Sequence, residues 1–221
     1  MPSLPPFDMC IVGIGGTARP NSTSECAVAE TLRAAEDLGA HTRFFGGEFV
    51  ARLPMYNPGR SDRTADELDY IDAVRNCHGI IVGTPGYHGG VSGPIKNMLD
   101  LLEDTAKDER PYLDGLAFGC VVTAYGWQAC STALVSLRMI AHALRAWPTP
   151  FGATINTSIP LFAADGACVD PKIASQLSTV ASQVVAFSRW RQAWRAAERS
   201  GTRATAREEG PTGGAVGANR S

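Results

Sequence analysis

Residues 9–39 read "MCIVGIGGTARPNSTSECAVAETLRAAEDLG". The segment opens with an apolar run ending in glycine. It then crosses "GGTARPNSTS" (15–24), crowded with glycine, hydroxyl and amide side chains, and resumes as an amphipathic run. There Cys26, Ala27, Ala29, Leu32, Ala35 and Leu38 recur at helical spacing, and Gly39 is a helix stop. The reading is strand (8–15), tight loop, helix (23–38). Repeated along a chain, that unit builds a parallel sheet covered by helices.

The repetition is present. "AHTRFFG" (40–46) reads as a second strand, and residues 47–63, with "LPMYNPGR" among them, read as loop. "TADELDYIDAVRNC" (64–77) begins with Thr64 as an N-cap and Glu67 three residues later, a capping box. Its acidic stretch "ELDYID" (67–72) reads as a solvated helix face. "GIIVGTP" (79–85) is continuously apolar, as a strand buried on both faces must be. Residues 91–104 form the third helix, "LAFGCVVTA" (116–124) the fourth strand and residues 128–146 the fourth helix. "TPFGATIN" (149–156) is the fifth strand, and residues 171–200 are a long final helix. This alternation predicts a doubly wound α/β domain over residues 1–200, with a five-stranded parallel sheet and helices on both faces. Its ligand crevice belongs beyond the carboxyl ends of the strands; in the order 2-1-3-4-5, strands one and three flank the switch point. The remainder (201–221), "GTRATAREEGPTGGAVGANRS", has no apolar periodicity and is expected to be disordered.

The chain has 221 residues, 44% of them hydrophobic, and a formal net charge of −2. That charge gives no electrostatic case for nucleic acid or an anionic membrane as partner. No apolar stretch reaches membrane-spanning length. "MPSLPPFDM" (1–9) lacks the basic and apolar regions of a secretory signal, so the expected location is cytoplasmic. The cysteines are Cys10, Cys26, Cys77, Cys120, Cys130 and Cys168, with no C-x-x-C among them. They read as reduced structural thiols, with Cys10 and Cys120 inside buried strands. The four histidines show no ligand spacing with cysteines or carboxylates, so no metal site is read. Cys130 and His142 sit on one helix more than three turns apart, too far to act as nucleophile and base.

The loop at 15–24 has the chemistry of an anion site. Amide groups at a helix N-terminus lack acceptors, and the helix dipole favours negative charge there. Thr17, Asn21, Ser22, Thr23 and Ser24 add donors, and Arg19 adds a planar cationic fork suited to phosphate oxygens. Capping the helix needs one such residue, not five. "GIGGTA" (13–18) matches G-x-G-x-x-A, a weak dinucleotide signal. The acidic residue that a dinucleotide site wants after the second strand is missing from "FFGG", and Glu48 comes late. The G-K-[ST] of a Walker loop is absent. The loop therefore reads as a cradle for a single phosphate.

"TPGYHGGVSGPIKNMLD" (84–100) leaves the third strand and enters a helix, so it should open onto the same crevice. Its glycines and prolines shape a backbone able to lie against a flat ligand, and Tyr87 and His88 offer ring faces and polar tips. Lys96 and Asp100 form an i,i+4 pair and read, with Asn97, as structural or dimer-interface residues rather than catalytic ones.

These two segments together resemble the NAD(P)H-dependent FMN reductase family. "GGTARPNSTS" is similar to its G-S-x-R-x-x-S phosphate loop, and "TPGYHGGVSGPIKNMLDLL" to its T-P-x-Y-x-x-x-x-x-G-x-x-K-N-x-x-D segment. The resemblance spans roughly residues 8–155. It implies a flavodoxin-like fold, FMN as cofactor and NADPH or NADH as electron donor. It places Thr17, Arg19, Asn21, Ser22, Thr23 and Ser24 on the FMN phosphate. It puts Pro85, Gly86, Tyr87, His88, Gly89 and Gly90 along the flavin ring and ribityl chain. It adds Thr123, Tyr125 and Gly126 from "TAYGWQACST" (123–132). Gly86 stands where the family often has a bulkier residue, which implies a more open flavin edge. Tyr125 and Trp127 are larger than the family pattern and would narrow the acceptor side or cover a partner subunit's flavin. Helices 91–104 and 128–146 would pack between subunits of a homodimer or homotetramer.

The expected activity is hydride transfer from the nicotinamide nucleotide through FMN to free flavin, a quinone or a specialised small molecule, by a ping-pong mechanism. No side chain is assigned as catalytic, since the chemistry belongs to the cofactor. A flavin-dependent monooxygenase taking up the reduced flavin is an expected partner class. The competing reading is a flavodoxin-type electron carrier, but such carriers are strongly acidic and have a T-x-T-G-x-T loop. A nucleotide-binding regulatory module is the third reading. Arg43 and Arg60 are the cations available to an NADPH 2′-phosphate, each more simply a solvated surface charge.

Overall fold

Apolar strands pair side by side because a run buried on both faces must satisfy its backbone within the sheet. In the computed structural model, which describes residues 8–200, β1 (Cys10–Ile14) lies in parallel between β2 (His41–Phe45) and β3 (Gly79–Pro85). The tail expected to be disordered, 201–221, lies outside the described residues. β4 (Ala117–Ala124) runs beside β3 in register from Gly79↔Ala117 to Pro85↔Thr123. Its other edge takes two short parallel strands in tandem, β5 (Trp147–Pro148) at its start and β6 (Ala153–Asn156) at its end. The order along the sheet is β2-β1-β3-β4-β5, with β6 also on β4. This is the flavodoxin-like arrangement expected.

Alternate side chains of each strand point to opposite faces. Ile11, Ile81 and Val121 pack with Val28 and Leu32 of α1 (Thr23–Asp37) and with Val180 and Val184 of α6 (Pro171–Arg199). Val12, Ile80, Val82 and Val122 pack on the other face. Their partners are Ile71 and Val74 of α3 (Ala65–Asn76), Met98 of α4 (Gly93–Asp100) and Leu137 of α5 (Trp127–Ala143). Each such side chain, fully buried, contributes about 1.5–3 kcal/mol. Two half-cores therefore hold the sheet and aim the N-termini of α1 and α5 at the carboxyl ends of the strands.

Several expectations are corrected. The stretch read as loop, 47–63, begins with a helix, α2 (Gly47–Arg52). Its N-cap Gly46 offers no side chain; the Gly47 N–H donates instead to Glu25 Oε1 at 3.0 Å. The fifth strand does not run unbroken through 149–156. Pro150 has no N–H, and the Phe151 N–H donates to Gln183 Oε1 at 2.9 Å rather than to the sheet. The expected helix 91–104 is α4 followed by a 3₁₀ turn at Leu101–Thr105, and Lys96 and Asp100 pair at 2.6 Å. Glu67 is not on a solvated face. It is fully buried, closing the capping box with Thr64 and facing Arg60 and Arg63. Cys120 is buried as expected, whereas Cys10 at the head of β1 is half-buried.

Candidate functional site

The first loop turns sharply at Gly16, whose φ of +40° favours glycine. A Cβ there would lie 1.7 Å from Ser24 Oγ, so the turn closes directly over the start of α1. Ser22 caps α1, its hydroxyl accepting from the Glu25 N–H at 3.3 Å, and its Oγ lies 3.4 Å from Ser24 Oγ. The cap uses one lone pair of Ser22, and of the two hydroxyl protons one bridges Ser22 and Ser24 while the other stays available to donate. The N–H groups of Thr23 and Ser24, in the first helical turn, have no acceptor within the helix. Thr17 Oγ1 accepts from the Arg19 N–H at 3.0 Å, which folds the loop back and leaves the Arg19 side chain exposed.

The second loop crosses beside the first. The Ser92 hydroxyl donates to the Gly16 carbonyl at 3.0 Å, and Thr84 Oγ1 accepts from the Ser92 N–H at 2.9 Å. Between them, Tyr87 and Gly90 exchange backbone hydrogen bonds at 3.0 Å around His88 and Gly89, both at positive φ (51° and 85°). Two central residues of that hand make a tight hairpin turn, which fixes Tyr87 at its base. The third loop joins through the Gly86 N–H, which donates to the Thr123 carbonyl at 2.8 Å.

Thr17, Arg19, Ser22, Thr23 and Ser24 thus line one cavity with Pro85, Gly86, Tyr87, Thr123 and Tyr125. Its volume is about 330 Å³, at the small end of the usual ~300–1,000 Å³ for small-molecule sites. The cavity sits where β1, β3 and β4 end, at the switch point. The other expected residues take places around it. Asn21, at φ 55°, lines the two flanking cavities; His88 and Gly89 form the turn tip, Gly90 closes that turn, and Gly126 precedes α5. A Cβ at Gly86 would meet the Ala129 carbonyl of α5 at 2.8 Å, so the close approach of α5 is a reason for glycine at this position. Arg43 pairs with Asp69 and Arg60 with Glu67, so both cations are engaged.

Sequence reasoning missed Ala124 and Thr157, which complete the lining. Thr157 also opens onto an adjoining cavity of about 520 Å³ walled by residues 157–164, Cys26 and Gly166. That wall is irregular chain with no periodic signal, though Asn156 followed by Thr157 and Ser158 marks a polar strand end. Burial raises the thiol of each cysteine, Cys77 to about 11 and Cys120 to about 12. Protonated thiols are poor nucleophiles and poor ligands. Among the described residues, no three His, Cys, Asp or Glu side chains group as a metal site. No helix there is long and apolar enough to cross a membrane.

The donor set fits FMN: one cation, several hydroxyls and free helix amides for a phosphate, and beyond them a cleft between two backbone turns. The comparisons agree. An iron–sulfur flavoprotein of Methanocaldococcus jannaschii is 30% identical over 98 residues, 42% of this chain and 51% of that protein. The chain spans about half the length, or less, of the curated relatives it matches. Among solved structures, the flavoenzyme NAD(P)H:acceptor oxidoreductase FerB of Paracoccus denitrificans superposes with a TM-score of 0.64 at 19% identity. That match covers 82% of this chain and 97% of that one. An apo NADH:FMN oxidoreductase gives 0.62 at 22% identity over 81% and 88% of the two chains. At those identities the likeness is one of fold. The model of the NADPH-dependent FMN reductase family matches residues 9–157, which contain all three loops, and on that match the chain belongs to this family.

Proposed function

We propose that the protein is an FMN-dependent oxidoreductase that takes hydride from NADPH or NADH and passes reducing equivalents to a small-molecule acceptor. The observation that carries this is the convergence of Arg19 and the hydroxyls of residues 17–24 with Pro85–Tyr87 and Thr123–Tyr125 on one cavity. Bound there, FMN supplies the ring that accepts and returns the hydride. Arg19, Ser22, Thr23 and Ser24 hold the phosphate by charge-assisted hydrogen bonds. Pro85, Gly86 and Tyr87, with Thr123 and Tyr125 from the neighbouring strand end, would line the flavin's place, and Gly126 would adjoin it at the start of α5. His88, Gly89 and Gly90 keep the turn that sets Tyr87 in place, and Asn21 shapes the loop beside the phosphate. Tyr87 and Tyr125, 55% and 79% exposed, flank a mouth open to solvent. One open mouth serves donor and acceptor in turn, which supports ping-pong kinetics. No acid or base is assigned to a side chain.

On the same reading, residues 1–200 are one FMN-binding unit, and truncation after Ser200 leaves flavin affinity unchanged. Trp127, Val135 and Met139 lie exposed along α5, the helix that begins just after the mouth residue Tyr125. Their cover is a second copy of the chain, in a homodimer or homotetramer. Free flavin, a quinone or another small electron acceptor fits the open mouth, and a flavin-dependent monooxygenase would use reduced flavin released there.

The test is an absorbance spectrum of purified protein with added FMN, followed anaerobically after NADPH or NADH. Bleaching of the flavin band supports the oxidoreductase and ranks the donors. FMN binding without bleaching favours the electron carrier. Absence of FMN binding overturns the reading.

A further inference from the structure

At the opposite pole, where the strands begin, α6 crosses the C-terminal end of α3 and brings four arginines together. Two cavities there, of about 500 and 220 Å³, share Arg75, Arg110 and Arg195 in their linings. Two of the cations are already committed. Arg75 pairs with Asp108 at 2.7 Å. Arg110 donates to the carbonyls of Val74 and Arg75 at 2.6 Å and of Cys77 at 3.4 Å, and so caps α3.

Arg191 and Arg195, one turn apart on α6, have no carboxylate within ion-pair distance among the described residues. Arg191 Nε is buried and meets no acceptor among the described residues. Its guanidinium rests against Gly115, at φ +72°, where a Cβ would lie 2.1–2.5 Å from Nη2, Cζ and Nη1. The backbone thus makes a seat for a cation and provides no counter-charge. Burial, then Arg195, lowers the proton affinity of Arg191, while Asp114 and Glu198 act the other way from a distance. A half-buried guanidinium with its Nε buried and unpaired is costly, and an anion in the cavity offsets that cost.

We propose that these cavities form an anion site remote from the flavin crevice, in which Arg191 and Arg195 hold a dianionic phosphate, free or carried as a monoester on a small molecule. The planar fork of each guanidinium matches phosphate oxygens. The smaller cavity takes the phosphate between α6 and the His78 end of β3. The larger one, walled by Tyr112 and by the carboxylates Asp108, which Arg75 pairs, and Glu109, leaves room for an organic remainder.

The test is calorimetric titration of the full chain at physiological salt with inorganic phosphate and with adenosine 5′-monophosphate. Wild type is compared with Arg19→Ala, Arg191→Gln and Arg195→Gln, each checked for an unchanged Tm. The expected result is saturable phosphate binding kept in Arg19→Ala and weakened ~10-fold or more in the α6 variants. Because Arg195 is half-buried and has no carboxylate partner among the described residues, its variant keeps the test valid if Arg191→Gln does not fold. Tighter binding of the monoester names it as the occupant, and equal binding names the free ion. Absence of saturable binding, or binding lost in Arg19→Ala and kept in Arg195→Gln, overturns the proposal. The latter result would put the phosphate in the first loop.

Discussion

Glu25, in the first turn of α1, accepts a hydrogen bond from the backbone N–H of Gly47, the first residue of α2, at 3.0 Å. One carboxylate therefore serves two helix N-termini, where negative charge is favourable. α2 is six residues long, too short to persist without such a tether. Replacing Glu25 with Ala is expected to lower stability by about 1–2 kcal/mol by leaving the Gly47 donor unpaired. Urea unfolding measures the loss, and faster exchange of the Gly47 amide locates it in α2.

Arg19 is exposed, and its guanidinium takes part in no ion pair among the described residues. Arg19→Ala should weaken FMN affinity ~10–100-fold, the worth of a charge-assisted contact, and leave the Tm unchanged. Fluorescence titration with FMN reads the affinity, and a scan of the apoprotein reads the Tm. Unchanged affinity would remove Arg19 from the phosphate site.

Gly86→Ala probes the close approach of α5. The added methyl meets the Ala129 carbonyl, so α5 must move or the loop must shift. The expected cost is about 1–3 kcal/mol of stability, together with weaker FMN binding, since the same loop lines the cavity. Denaturant titration and flavin affinity, measured together, check both.

His78 titrates below its ordinary value. Burial is the main cause and the Arg110 charge the next; Asp8 and the Cys10 N–H, which donates to Nδ1 at 3.0 Å, are also close. The unfolded chain takes up this proton near pH 6.5, while the folded chain resists until lower pH. The unfolded state therefore binds more protons as pH falls through 6.5, and stability is lost there, levelling off below the folded value. The urea midpoint should fall between about pH 7 and pH 5.5, and fall less in His78→Asn. An identical slope in both proteins would show that other groups set it.

Much of the site was legible because its chemistry is local. The apolar runs of β1, β3 and β4, the hydroxyl-rich turn between β1 and α1, and the glycine-rich turn after β3 each carry their signal within ten or so consecutive residues. Parallel topology then places the ends of those strands together, which is why 17–24 and 84–90 could be read as neighbours. Glu67 shows the limit of such reading. Its capping box was visible, but its burial comes from Arg60 and Arg63, which reach it from the preceding loop.

Taken alone, the sequence determined the doubly wound sheet and the hydroxyl-rich loop at the head of α1, because periodicity and turn chemistry act over short distances; the strand order came with the family resemblance. Tertiary structure alone decided the rest. α2 exists because a carboxylate 22 residues earlier holds its first amide. The fifth strand position is split because Gln183 on α6 takes the Phe151 N–H. Thr157 joins the cavity because β6 ends beside β4. The arginine pole forms because α6 lays residues 191 and 195 beside His78 and Leu116, 75 residues or more away in sequence. Each depends on contacts between segments far apart in the chain, and no local pattern of residues encodes such a distance.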